Sequence, residues 1–120
     1  FFMAVVSPTI FNVLDEINSG AFLRQLFPRM FLYGLIAMLL AFLTTLNGQL
    51  NIYWIISAIS SILFAINLYI ITPKINYHRD EAKLGNSLSE KKFKQFHLFS
   101  VAFFILQLLG SLYLLLIYYY

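Results

Sequence analysis

Hydrophobic residues run along this chain in long blocks rather than alternating with polar ones, and charges are confined to two stretches between the blocks. Residues 30–46, 52–71 and 95–118 contain no Asp, Glu, Lys or Arg. Blocks near the roughly 20 residues needed to cross a hydrocarbon core predict three membrane helices. Residues 1–14 are equally apolar but too short, which predicts the C-terminal half of a first membrane helix. Pro8 lies inside that segment and is expected to kink it by removing a backbone donor.

The intervening stretches carry their own patterns. Residues 15–29 place Phe22, Leu23, Leu26 and Phe27 at helical spacing among charges, which predicts a short helix lying in the membrane interface. Pro28 then reads as a first-turn proline opening the next helix, where its missing N–H has no acceptor to lose. Residues 47–51 read as a tight polar turn, and Thr72-Pro73 as the end of the helix over 52–71. Gly34, Ala37 and Ala41 form one small-residue stripe, and Ser57, Ser61 and Ala65 another, so these two helices are expected to pack as a hairpin.

The expected fold is an all-α membrane protein: a four-transmembrane-helix bundle with its first helix N-terminally truncated, in one domain over residues 1–120. Its spans are 1–14 (partial), 30–46, 52–71 and 95–118, with cytoplasmic loops at 15–29 and 72–94. Composition agrees, since 61% hydrophobic and 11% charged residues leave too few charges for a water-facing surface. Mean hydropathy is +0.80. Thirteen Phe and eight Tyr suit a lipid-facing exterior with aromatic ends, as in Tyr118-Tyr119-Tyr120. A start at Phe1 within an apolar run suggests a fragment rather than a mature N-terminus after signal cleavage.

Charge sets the orientation. All eight Lys and Arg residues fall in the two stretches 15–29 and 72–94, which the span count places on one side. The positive-inside rule makes that side cytoplasmic and the C-terminus external. A net charge of +3 arises from residues flanking the spans, where it reports orientation and anionic lipid, so nucleic acid is not an expected partner. The bacterial inner membrane is the expected location.

Few residues carry candidate chemistry. With no cysteine, thiolate metal sites, disulfides and cysteine nucleophiles are excluded. No nucleophile elbow, phosphate-binding glycine loop or paired carboxylate occurs, so no catalytic residue is assigned, and Asp15-Glu16 reads as a solvated helix end. His97, with Ser100 one turn deeper, sits at the cytoplasmic start of the last span, where an imidazole suits ligand contact or a proton relay. Capping a neighbour is the plainer role. The second histidine, His78, lies in the stretch read as a flexible loop, so the ligand inventory is too thin for a metal site, and no cofactor is expected. Asn67 and Gln107 lie within spans, where interhelical hydrogen bonding is the simplest role. Lys91, Lys92 and Lys94 read as a cluster for lipid headgroups.

Three stretches resemble the transmembrane-protein-205-like family, four-helix membrane proteins carrying a domain of unknown function. They are the proline-containing first segment leading through Gly20 to Leu26-Phe27-Pro28, then Asn67 through Thr72-Pro73, then Phe93-Lys94-Gln95-Phe96-His97 with Ser100. The resemblance implies four helices and external termini. It marks Pro8, Gly20, Phe27, Pro28, Asn67, Pro73, Phe93, His97 and Ser100 as the residues most apt to matter. Val101-Ala102-Phe103-Phe104 departs from the polar residue, often Asn, that family members keep early in the last helix. Asn67 and His97 are the two able to exchange hydrogen bonds with a ligand, which points to a shallow cytoplasm-facing pocket between spans three and four.

Three functional readings follow, in order. The first is a non-enzymatic component that binds a small molecule or partner in the bilayer, as a homo-oligomer or with a partner membrane subunit. The second is a small oligomeric exporter or permease, which no intramembrane carboxylate supports. The third is a redox or haem-associated protein using His97.

Overall fold

The computed structural model describes residues 1–46 and 51–120. Every element is helical: α1 (Ser7–Val13) after a π-helical turn (Phe2–Val6), α2 (Glu16–Thr44), α3 (Ile52–Ile66), a second π-helical turn (Asn67–Ile71), α4 (Thr72–Lys83) and α5 (Ser87–Tyr119). Because the second π turn joins α3 to α4 without a break, three helices are long and apolar enough to cross a membrane: Glu16–Thr44, Ile52–Lys83 and Ser87–Tyr119. A shorter apolar helix spans Ala4–Val13.

Two stretches expected as loops are helical instead. Residues 15–29 are not a separate interfacial helix but the first half of α2, and Pro28 lies inside that helix rather than at its start. Phe27 and Phe31, one turn apart across the proline, stack with centroids 6.1 Å apart, so side-chain packing spans the backbone defect. The helix begins instead at Asp15, whose carboxylate accepts from the Asn18 N–H at 2.8 Å.

Residues 72–94 likewise contain α4, a tight turn and the start of α5. Pro73 does not end the helix, because the π turn before it widens the backbone by one residue per turn and moves carbonyls off the proline ring. The Asn67 carbonyl at that turn accepts from the Thr72 N–H and from Thr72 Oγ1, the latter at 2.7 Å. Pro8 follows a π turn in the same way, so both prolines fall in the first turn of the next helix.

The α4–α5 turn closes by local chemistry alone. Gly85 takes φ +93°, and the N–H groups of Asn86 and Gly85 donate to the carbonyls of Glu81 and Ala82, a Schellman arrangement that needs a left-handed residue. Asn86 then caps α5 by accepting from the Leu88 and Ser89 N–H groups. The polar turn expected at 47–51 lies outside the described residues apart from Asn51, which caps α3 by accepting from the Trp54 N–H at 3.0 Å.

Polarity is distributed inside-out relative to a water-soluble bundle. Among the described residues the buried hydrophobic ones are Ile10, Leu23, Phe31 and Ile71, whereas Ser57, Ser60, Ser61, Asn67, Ser100 and Gln107 are all buried, and large apolar side chains cover the exterior. Serines on α3 let neighbouring helices approach closely. Gln107 Nε2 donates to the Ser60 carbonyl at 3.0 Å, joining α5 to α3. On α2 the small-residue stripe is only partly used: Gly34 meets the Phe64 ring, whose Cζ would lie 2.6 Å from an added Cβ, while Ala37 is exposed.

Candidate functional site

Along α5, residues 90, 94, 97, 101 and 104 recur at steps of three and four, so they share one face of the helix. Their chemistry changes steadily along it, from Glu90 and Lys94 through His97 to Val101 and Phe104. On α4 the same gradient runs the other way, from Thr72 through Asn76 to Arg79 and Lys83. α2 repeats it with Glu16 and Arg24 at one end and Phe27, Met30 and Phe31 at the other. Antiparallel packing aligns the three gradients, and the π turn before α1 adds Phe2 at the apolar end.

Between these faces lies a cavity of about 650 Å³, walled by α1, α2, α4 and α5, within the roughly 300–1,000 Å³ range of small-molecule sites. Its floor is aromatic: Phe2 packs edge-on to Phe27 at 5.6 Å, Phe27 stacks on Phe31, and Phe31 and Phe104 meet edge-on at 6.4 Å. Phe64 closes the cluster from α3, 6.4 Å from Phe104. Its mouth is charged, with Arg24, Arg79, Lys83 and Lys94 set against Glu16 and Glu90.

Two of the four cations are engaged. Arg24 grips Asp80 through both guanidinium nitrogens, at 2.6 and 3.2 Å, tying α2 to α4. That hydrogen bond holds the Asp80 carboxyl below its ordinary range, against an opposing effect of burial and with the help of the nearby Arg24, Lys83 and Arg79 charges. Lys94 pairs with Glu90 one turn away at 3.3 Å on an exposed surface, a weak contact. Among the described residues no carboxylate lies within ion-pair distance of Arg79 or Lys83. The Arg79 guanidinium instead lies across α2 at Gly20, where an added Cβ would sit 3.1 Å from its central carbon and collide with its Nη2.

Phe27, Phe93, Lys94, His97 and Ser100, all expected from sequence to matter, line this cavity. Asn67 does not: it is fully buried behind the cavity, and neither of its amide atoms has a hydrogen-bond partner. The cavity is walled by α1 and α2 as well as by α4 and α5, and Asn67 is outside its lining. Gly20 acts by admitting Arg79, whereas Pro8, Pro28 and Pro73 shape backbone, and Lys91 and Lys92 are exposed on α5 outside the cavity wall. His97 stacks on Phe93 with centroids 6.1 Å apart. His78 is not in a loop but on α4, stacked on Phe96 at 5.6 Å with Nδ1 3.3 Å from Ser89 Oγ. Among the described residues no group of three His, Cys, Asp or Glu side chains is placed to hold a metal.

Thr72, Asn76, Arg79 and Lys83 were not marked by sequence reading, because their segment read as a loop. Their spacing of four, three and four was the available signal, since helical periodicity places all of them on one face.

Long apolar helices enclosing a basic-mouthed, aromatic-floored cavity define an all-helical protein of membrane-span type. A family model described as Domain of unknown function (DUF4149) matches residues 1–84, and the chain belongs to that family. The match stops at the α4–α5 turn, so the α5 wall, with His97 and Ser100, lies beyond it. No curated protein and no solved structure matches the chain.

Proposed function

We propose that this protein is a non-enzymatic integral membrane component that binds a small molecule in the cavity between α1, α2, α4 and α5. The observation that carries the reading is the cavity itself, an open-mouthed space with aligned polar-to-apolar gradients on three helices. Within its family we place the chain with the transmembrane-protein-205-like proteins, as a four-helix transmembrane bundle in the bacterial inner membrane. The exposed apolar exterior and the confinement of all Lys and Arg to residues 15–29 and 72–94 support insertion with those stretches toward the cytoplasm and the C-terminus outside. Lys91 and Lys92, exposed beside the mouth, suit contact with anionic headgroups. A homo-oligomer or a partner membrane subunit fits the exposed faces of α2 and α5.

Native mass spectrometry of the full-length protein, gently extracted from its own membrane, tests this reading. A small molecule retained by the wild type and lost in Val101→Phe, which fills the cavity, is the expected result. A protein that carries nothing, yet drives solute flux in vesicles, would replace binding by the exporter reading.

A further inference from the structure

Four of the chain's eight cations line the cavity, and among the described residues the two from α4, Arg79 and Lys83, are in no ion pair. Arg79 and Lys83 are one turn apart on the inward face of α4, and Gly20 leaves room for the Arg79 guanidinium to lie against α2. A guanidinium held on a glycine, partly shielded and unmatched, is a ready partner for a planar anion, which it binds in a bidentate fork. Below it the wall passes through Asn76, His97 and Ser100 to the aromatic floor. The α5 face from Glu90 to Phe104 covers about 21 Å at about 1.5 Å per residue. The space is thus long, charged at one end and greasy at the other.

From this, and resting on the proposed binding role of the cavity, we infer the ligand's class: an anionic, single-tailed amphiphile, with its carboxylate or phosphate on Arg79 and Lys83. Its acyl chain runs along Val101 to the ring cluster of Phe27, Phe31 and Phe104. Charge decides the head: with Arg24 paired to Asp80 and Lys94 to Glu90, the charges left at the mouth are Arg79 and Lys83 against Glu16. The aromatic floor decides the tail, since a small polar anion leaves that surface uncovered. The bilayer itself is the source, as the depth gradient in the cavity matches that of a lipid standing head-outward in a leaflet.

Binding of palmitate, of its uncharged glycerol ester and of inorganic phosphate to the full-length protein in nanodiscs distinguishes the possibilities. Palmitate is expected to bind, with the ester weaker by about tenfold or more and phosphate not measurably bound. Arg79→Gln is expected to weaken palmitate by about tenfold while leaving the ester unchanged. Val101→Phe is expected to weaken both. Arg79 lies at the mouth outside the buried core, so its variant keeps the fold, which circular dichroism verifies. Equal binding of palmitate and ester, unaffected by Arg79→Gln, would overturn the anionic head while leaving a binding cavity. Phosphate binding that rivals palmitate would overturn the tail. If no probe binds and Val101→Phe changes nothing, the binding role of the cavity fails with it.

Discussion

The mouth and the floor of the cavity are built by the same helix faces, yet different forces hold them. At the floor, Phe27, Phe31, Phe64 and Phe104 interlock, with Phe31 only 4% exposed. At the mouth, α2 is tied to α4 by the Arg24–Asp80 pair, whose side chains are 40% and 54% exposed. Close packing cannot be trimmed without leaving a void, whereas exposed ion pairs exchange easily for water. The floor therefore sets the architecture, and the mouth is the more loosely held end.

Perturbing the floor is the harshest way to break this contrast. Phe31→Ala removes the ring that touches Phe27, Phe64 and Phe104 and should cost about 3–5 kcal/mol, read as lost resistance to denaturation in detergent. A loss below about 1 kcal/mol would show that the ring cluster is not the anchor. Just behind the floor, Asn67 is buried with both amide atoms unpartnered, a burden of about 1–3 kcal/mol for such groups. Asn67→Val, apolar and closer to asparagine in volume than leucine, should raise thermal stability; a clear drop would mean that a bound water or polar ligand satisfies the amide.

The mouth should respond least. Because Arg24 lowers the Asp80 carboxyl from its ordinary value of 3.8, the pair contributes stability above that value. The contribution is lost as pH falls through the lowered folded value. For so exposed a pair the effect is about 0.2–1 kcal/mol. Asp80→Asn should remove this acid dependence with little change near neutral pH, and a large loss at pH 7 would contradict the contrast drawn here.

The apolar spans were legible because lipid-length hydrophobic blocks have few other uses. The ends of the helices were not, and proline is the reason. Pro28 and Pro73 read as boundaries, since each lacks the N–H that a helix interior uses. Aromatic stacking across Pro28 and the π turn before Pro73 keep the chain helical through both. Once 72–94 read as a loop, Arg79 and Lys83 lost the periodicity that marks them as cavity residues, although Gly85-Asn86 already announced a stop and a new start. His97 and Ser100 were legible because they fall in the span read as a helix, whereas Phe93, in the stretch read as a loop, was marked by the family resemblance alone. Asn67 is buried and outside the cavity lining, a placement that its position within a span does not settle.

The central claim is a cavity that opens at the basic end of a membrane bundle, and the lack of cysteine in the chain makes one measurement direct. Single cysteines replace Ser100, in the cavity wall, and Ser57, buried against neighbouring helices. Both variants are exposed to a membrane-impermeant maleimide in inside-out vesicles. Labelling of Ser100→Cys from the cytoplasmic face, slowed by palmitate, with Ser57→Cys unreactive, is the predicted result. An unreactive Ser100→Cys, or labelling only from the external face, would contradict the account.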